Sequence, residues 1–211
     1  ENNKIRKDLD KIITKEALEM IDITKKSTVV YSENWHKGVV GIVASRLIEK
    51  HYKPTIVFAE KDGVLTGSAR SVHDFDLYSA IAKCEFLCEK FGGHRYAAGL
   101  SIKKENLSQF IIEFEKAVSE SITEDQMLPK INIDKVIDIN YIDQKLYRII
   151  KQFSPFGPKN LAPIFASKKV VDNGYGKQIG KDKGHLRINA KKKSGIISGI
   201  GFGMGEYFEF I

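Results

Sequence analysis

No apolar run in the 211 residues approaches the 18 needed for a membrane-spanning helix, so no transmembrane segment is expected. The chain also lacks a basic stretch followed by an apolar one at its start, the mark of a secretory signal. It opens on Glu1 rather than Met, which reads as a piece cut from a longer protein. Cysteine is scarce: Cys84 and Cys88 are the only two. A lone C-x3-C pair is a poor metal site, and on one face of a helix the two read as buried, reduced thiols of a cytoplasmic protein. Catalytic and metal-ligating constellations are wanting too. Trp35-His36 has no nucleophile or carboxylate at a telling spacing, so Trp35 reads as packed and His36 as fixing the turn that follows. His73-Asp74-Phe75-Asp76 crowds its potential ligands into too short a span to close around one ion, and capping of the next helix by Asp74 or Asp76 is the better reading. No catalytic residue and no metal ligand is assigned.

What is present is an ordinary globular composition, 42% hydrophobic and 29% charged, with a net charge of +7 that is unevenly placed. From Lys159 to Lys193 there are ten basic residues against Asp172 and Asp182, a net of +8, whereas the remainder holds 24 basic against 25 acidic residues. Such asymmetry points to a polyanion partner for the C-terminal part. The alternative is a lysine-rich surface that serves solubility.

The pattern of apolar residues organises the chain. Residues 4–23, with Ile5, Leu9, Ile12, Ile13, Ala17, Leu18, Met20 and Ile21, read as an amphipathic helix. A short β-rich run over 28–32 precedes a helix that opens at Gly38 and Gly41 and runs through about Lys50. A nearly continuous apolar strand over 55–59 is followed by a Lys61-Asp62-Gly63 turn and a returning strand over 64–70. Apolar residues at helical spacing predict a helix over 77–90, then a strand over 97–102 and a helix over 105–121. This alternation favours a helix-covered sheet, an α/β first domain. Beyond a polar, Pro-containing boundary at 122–133 come a strand over 131–137, a helix over 141–153, and short β-prone stretches at 164–171, 185–190, 195–203 and 206–211. That spacing suggests a small barrel or sandwich. Tyr175, Phe202, Tyr207, Phe208 and Phe210 are its candidate stacking aromatics, though most aromatics of a small barrel are core.

Two segments stand out as anion-binding candidates. Ser68, Arg70 and Ser71 close the strand over 64–70, and alternation puts Arg70 on the same face as Ser68. A guanidinium forks onto two phosphate oxygens and hydroxyls can complete the cradle. The competing reading pairs Arg70 with Asp74 or Asp76. Phe91-Gly92-Gly93-His94-Arg95-Tyr96-Ala97-Ala98-Gly99 sets two glycines and a histidine between the predicted helix over 77–90 and the strand that follows. Adjacent glycines let backbone N–H groups turn outward and a ligand approach the main chain, which suits a phosphate. The competing reading is that Gly92 merely ends the helix and Gly93 continues the turn.

Three segments in this order, WHKGVVGIVASR from Trp35 to Arg46, GSARS from Gly67 to Ser71, and FGGHRYAAG from Phe91 to Gly99, resemble the DHH-associated domain of the DHH phosphoesterase superfamily. With SPFGPKN from Ser154 to Asn160, the pattern resembles the RecJ-type exonucleases, which act 5′→3′ on single-stranded DNA, from about Arg6 to the end. Two departures are evident. The superfamily's Asp-His-His metal-binding signature is absent from this sequence, and Ala69 stands where a glycine is more usual.

The resemblance implies a connecting helix over 1–24, a DHH-associated α/β domain over 25–122 and an all-β OB-type barrel over 130–211. It implies that Ser68, Arg70, Gly92, Gly93 and His94 contact a nucleic-acid backbone, with Ser71 beside them, and that the OB-type domain binds single strands. There Lys181, Lys183, Arg187, Lys191 and Lys193 are the candidate phosphate contacts; of the consecutive Lys191, Lys192 and Lys193, at most two can point the same way. The fragment would then bind substrate for a cytoplasmic exonuclease of DNA repair and recombination and be inactive alone. Mn²⁺ or Mg²⁺ would sit in the absent Asp-His-His domain, and single-strand-binding protein or a helicase would be further partners. Two alternatives stand beside it. A small-nucleotide phosphodiesterase, acting on oligonucleotides or cyclic dinucleotides, resembles the first domain but does not need a basic barrel after it. A protein-docking module would use the barrel to hold a partner.

Overall fold

The computed structural model describes residues 2–193 and 195–211, with side chains from Arg6 onward, so the apolar position Ile5 lies outside the described side chains. The chain divides into two units, one ending at Lys130 and the other beginning at Ile131.

In the first unit β-branched residues make β1 (Thr28–Ser32), and the apolar run after Pro54 makes β2 (Thr55–Lys61). These two pair in parallel, joined through α2 (Val40–His51), while α1 (Asn2–Glu19) precedes them. A turn at Asp62-Gly63, both with positive φ, returns the chain as β3 (Val64–Arg70), antiparallel to β2. After α3 (Leu77–Ala82) come β4 (Cys88–His94), β5 (Ala97–Lys103) and α4 (Leu107–Ser121). The sheet order is β1-β2-β3-β5-β4, a mixed sheet covered by helices.

Its two faces are built differently. On one, Phe58, Leu65, Ala69, Leu100 and Ile102 pack against α3 and α4 in a core where Phe58 meets Phe110 edge-on at 5.7 Å. On the other, Val57 and Ala59 lie under Val40, Val43, Ala44 and Leu47 of α2, and Ile13 and Ala17 of α1 close that layer. Polar fastenings hold α1 in place: Asp10, 3% exposed, pairs with Arg46 at 2.7 Å, and Glu16 accepts from the Trp35 indole at 2.8 Å.

The helix predicted over 77–90 is a correction. It ends at Ala82, a 3-10 turn covers Glu85–Leu87, and Cys88–His94 is an edge strand. Leu77, Ala80, Ile81, Cys84 and Leu87 are all buried, but Leu87 reaches the core from the turn rather than from a further helical turn. Pairing with β5 satisfies the backbone of β4 where a further helical turn would otherwise have run. Gly92 and Gly93 therefore lie within a strand and do not end a helix.

The second unit holds β6 (Lys135–Val136), α5 (Gln144–Lys151), β7 (Phe165–Ala166), β8 (Val171–Asp172), β9 (Lys177–Ile179), β10 (His185–Lys192) and β11 (Gly195–Gly201). β10 is central, flanked by β11 and by β8 and β9, all antiparallel, while β6 and β7 form a separate parallel pair. This short-stranded antiparallel region has the form expected of an OB-type domain. The stretch 206–211 is not a strand: Gly205–Phe210 is a 3-10 turn. Its start is pinned by a hydrogen bond from Gly205 N–H to the Gly184 carbonyl at 3.2 Å and from the Gln178 amide to the Gly205 carbonyl at 2.8 Å. Within the turn the Tyr207 and Ile211 N–H groups donate to the carbonyls of Met204 and Phe208, turn bonds that replace a strand ladder. In the SPFGPKN turn the Asn160 amide donates to the carbonyls of Phe153 and Pro155, both at 2.9 Å.

Candidate nucleic-acid interface

The face of the first-unit sheet that α2 covers is covered only in part. α2 lies over β2 and reaches β3; beyond it Gly99 of β5 and Gly92 of β4 are exposed. The register aligns residues across this open half. Ser68 is opposite Gly99 and Gly99 opposite Gly92; Arg70 is opposite Ala97 and Ala97 opposite His94. Residues directly opposite, and those two apart on one strand, share a face. Ser68, Arg70 and His94 are thus brought to one surface whose floor is Gly99, Gly92 and Ala97. Arg70 and His94 stand two strand spacings apart, about 9.6 Å at the backbone.

α2 shapes the wall beside Arg70. A Cβ at Gly41, in the first turn of α2, would come within 3.1 Å of the Ser68 hydroxyl and 3.2 Å of Arg70 Nη2. The Arg70 guanidinium donates through Nη1 to Ser68 Oγ at 3.1 Å and to the Ala69 carbonyl at 2.8 Å. Pairing with Asp74 or Asp76 is not what occupies it. Asp74 pairs with His73 at 2.9 Å, Asp76 caps α3 by accepting from Ser79 N–H at 3.0 Å, and among the described residues no carboxylate forms an ion pair with Arg70. Ser71 is differently engaged: its hydroxyl donates to the Phe75 carbonyl at 2.8 Å, away from Ser68 and Arg70.

The two glycines differ. A Cβ at Gly92 would meet nothing within 4 Å, so its surface is open to a ligand. Gly93 has φ +147, and a Cβ there would lie 2.4 Å from the Ala97 carbonyl and 2.5 Å from Ala98 Cα. Gly93 is thus required by hairpin closure. His94 is exposed, with Nδ1 accepting from Tyr96 N–H at 3.3 Å. Gly41 and Gly99 are not among the site residues the sequence singled out; alternation puts Gly99 on the same face as Ala97, but its place opposite Ser68 is set by register, and the approach of α2 has no local signal.

Elsewhere in this unit, His36 Nδ1 accepts from Gly38 N–H at 3.0 Å and Trp35 is buried, so both serve the turn into α2. Burial pushes the Cys84 thiol up to about 12 and the Cys88 thiol up to about 11, which keeps both protonated. Cys84 and Cys88 flank the 3-10 turn rather than sharing a helix face. Among the described residues no three His, Cys, Asp or Glu side chains are grouped to hold a metal ion, so these residues do not fit a metal centre.

In the second unit the basic candidates follow β10. Arg187 and Lys191 are exposed and four apart, hence on one face; Arg187 is opposite Lys177 of β9 and Ile200 of β11. Lys181 and Lys183 lie in the turn before β10, and Lys193 in the turn after it with φ 51. Lys192 points the other way and pairs with Asp138 at 2.6 Å. The line from Lys183 to Lys193 thus follows β10, about 27 Å long, and ends in the turns on either side of it. Phe202, at 76% exposed, and Tyr175, at 74%, are the most open of the five candidate aromatics except Phe210. His185 is committed through Nδ1, which accepts from Gly203 N–H at 2.9 Å.

Comparison with known proteins agrees with this architecture. A DHHA1 domain matches residues 24–120 and a RecJ OB domain matches residues 133–211. The single-stranded-DNA-specific exonuclease RecJ of Bacillus subtilis is 31% identical over 99% of this chain and 27% of its own length. That of Haemophilus influenzae is 31% identical over 82% of this chain and 31% of its own length. The chain thus spans between a quarter and a third of these relatives. Among solved structures, RecJ of Thermus thermophilus in complex with Mn²⁺ superposes with a TM-score of 0.75 at 22% identity, over 93% of this chain and 28% of that one. It is a likeness of fold.

Proposed function

The chain belongs to the RecJ family, of which it carries the DHHA1 and OB domains, and on that premise we propose that it grips the phosphate backbone of single-stranded DNA for a 5′→3′ exonuclease of DNA repair and recombination. The observation that carries this reading is the open sheet face, where Ser68, Arg70 and His94 meet across a floor of Gly92 and Gly99. A phosphate resting there meets the Arg70 guanidinium from one side and the His94 imidazole from the other. The Ser68 hydroxyl adds a neutral donor, and the missing side chains let a sugar-phosphate chain lie close to the main chain. Gly93 secures this floor from within the hairpin. In the second unit Lys181, Lys183, Arg187, Lys191 and Lys193 supply a charged line suited to a long strand, which favours a polynucleotide over a small nucleotide. Bond cleavage, with Mn²⁺ or Mg²⁺, belongs to the full-length cytoplasmic enzyme, as does any docking of single-strand-binding protein or a helicase.

Arg70→Ala and His94→Ala test this reading. Each removes a contact to a charged group worth about 1.5–3 kcal/mol, so each is expected to weaken binding of 5′-phosphorylated oligothymidylate about tenfold or more. Both should melt at the parent temperature, since Arg70 makes only local bonds and His94 is exposed. Variants that lose stability but keep the parent affinity would make the two residues structural. The parent chain with Mn²⁺ or Mg²⁺ is expected to release no nucleotides; metal-dependent release that copurifies with it would put the active site here.

A further inference from the structure

The open face does not stop at the row of Ser68, Gly99 and Gly92. One step further, Thr66 is opposite Ser101 and Ser101 opposite Lys90; beyond that Val64 is opposite Lys103. Alternation places all of these on the same face as Ser68 and Arg70. Thr66, Lys90 and Lys103 are exposed, and a groove bordered by Thr66, Lys90, Gly92, Gly99 and Ser101 runs along the surface.

An irregularity in β4 decides which residue stands opposite Ser101. Continuing the register of the Cys88–Ile102 pair would set Glu89 opposite Ser101, but the pairing shifts between Cys88 and Lys90 and puts Lys90 there. Bulges re-aim side chains in this way. The shift brings an ammonium group opposite Ser101, with Glu89 as the extra residue of the bulge, and none of the paired positions of β3 and β5 on this face is acidic. Among the described residues neither Lys90 nor Lys103 forms an ion pair. Successive rows are about 6.8 Å apart, two strand residues, a step comparable with that between neighbouring phosphates of an extended strand.

We propose that Lys90, with Thr66 and Ser101, and Lys103 one row beyond, form a second anion track that holds the next phosphates of the strand whose first phosphate lies between Arg70 and His94. The ligand is a single-stranded nucleic-acid backbone. The two lysines are spread along a line in an open groove, which suits a repeating polyanion and offers no closed pocket for a lone anion. This track rests on the reading of the Arg70–His94 cradle and extends it.

The test is length dependence. Binding of the 211-residue chain to a 5′-phosphorylated thymidine dinucleotide and to the corresponding pentanucleotide is measured for the parent and for Lys90→Gln combined with Lys103→Gln. The double variant is expected to keep the parent affinity for the dinucleotide and to lose most of the gain on lengthening. Its log–log salt slope for the pentanucleotide should be shallower by about 1.4, two contacts of roughly 0.7 each. A double variant with the parent's length gain and salt slope would overturn the track while leaving the cradle standing. Binding of neither oligonucleotide by the parent would remove both. Unchanged Trp35 emission checks that the variant is folded.

Discussion

The two units hold their sheets together by different means. In the first, one face of the sheet and half of the other are sealed by helices, and the buried aromatics Phe58, Phe110 and Phe114 sit in one contiguous core. In the second, Ile139 and Leu186 are the only buried hydrophobic residues among those described. Polar fastenings take a larger share there. The Asp172 carboxylate accepts from the backbone N–H groups of Asn189, Gly176 and Gly174, at 2.9, 3.0 and 2.7 Å, and Asp138 pairs with Lys192. The first unit can therefore leave half a sheet face bare because the other face carries the stability. The second unit leaves apolar surface bare as well, with Ile196, Ile200 and Val171 beside Arg187 and Lys191.

The strongest test of this contrast is truncation of an aromatic in each unit. Phe110→Ala removes a side chain with no exposed surface and should destabilise the first unit by about 3–5 kcal/mol, read from the emission of Trp35, the chain's single tryptophan. Phe202→Ala, by contrast, is expected to change the hydrogen-exchange protection of β10 by less than about 1 kcal/mol. Protection lost to the same extent as in the first unit would reveal a core that the burial pattern does not contain.

Acid sharpens the comparison next. The backbone donors of Asn189 and Gly176 hold the Asp172 carboxyl below its ordinary value of 3.8, and the Lys192 ammonium does the same for Asp138. A carboxyl lowered by folding stabilises fully above its ordinary value, and that stabilisation is lost as the pH falls through the lowered one. Protection of the β10–β11 hairpin should thus decline as the pH drops below the carboxylate range, and Asp172→Ala should flatten the decline. An unaltered acid profile in that variant would assign the sensitivity to other groups.

The smallest expected effect concerns binding. Lys191→Gln with Lys193→Gln should make the salt slope for a long oligothymidylate shallower by about one to two, lowering affinity alike for every sequence. A salt titration that overlays the parent curve would exclude this end of β10 from the strand's path.

How much of this was legible in the sequence depends on where each signal lay. β2 and β3 announced themselves through the apolar run after Pro54 and the Asp62-Gly63 turn, and the motif Ser68-Ala69-Arg70 fell on a strand end as the alternation required. β4 was hidden because Leu77, Ala80, Ile81, Cys84 and Leu87 keep helical spacing across a turn that breaks the helix. The aromatic run at 207–210 has strand propensity, yet Gly205 is tied by hydrogen bonds to the β9–β10 turn. Ser71 looked equivalent to Ser68; the carbonyl of Phe75 that takes its hydroxyl comes from a loop whose path no local pattern encodes. The opposition of Arg70 and His94 across Ala97 is a matter of register, set on one side by the β4–β5 hairpin and on the other by the pairing of β5 with the more distant β3.

Gly41 has a consequence of its own. By letting the first turn of α2 press to within van der Waals reach of Arg70, it helps confine a guanidinium that Ser68 and the Ala69 carbonyl already hold. An arginine side chain carries about 2 kcal/mol of rotamer entropy, and one that is ordered when the protein folds has that much less to surrender when a ligand arrives. On the reading proposed above, the arginine is therefore aimed before a phosphate arrives. A single added methyl group, in Gly41→Ala, would intrude on that arrangement from a side chain with no charge and no donor, and on the proposed reading would alter affinity through the freedom of its neighbour.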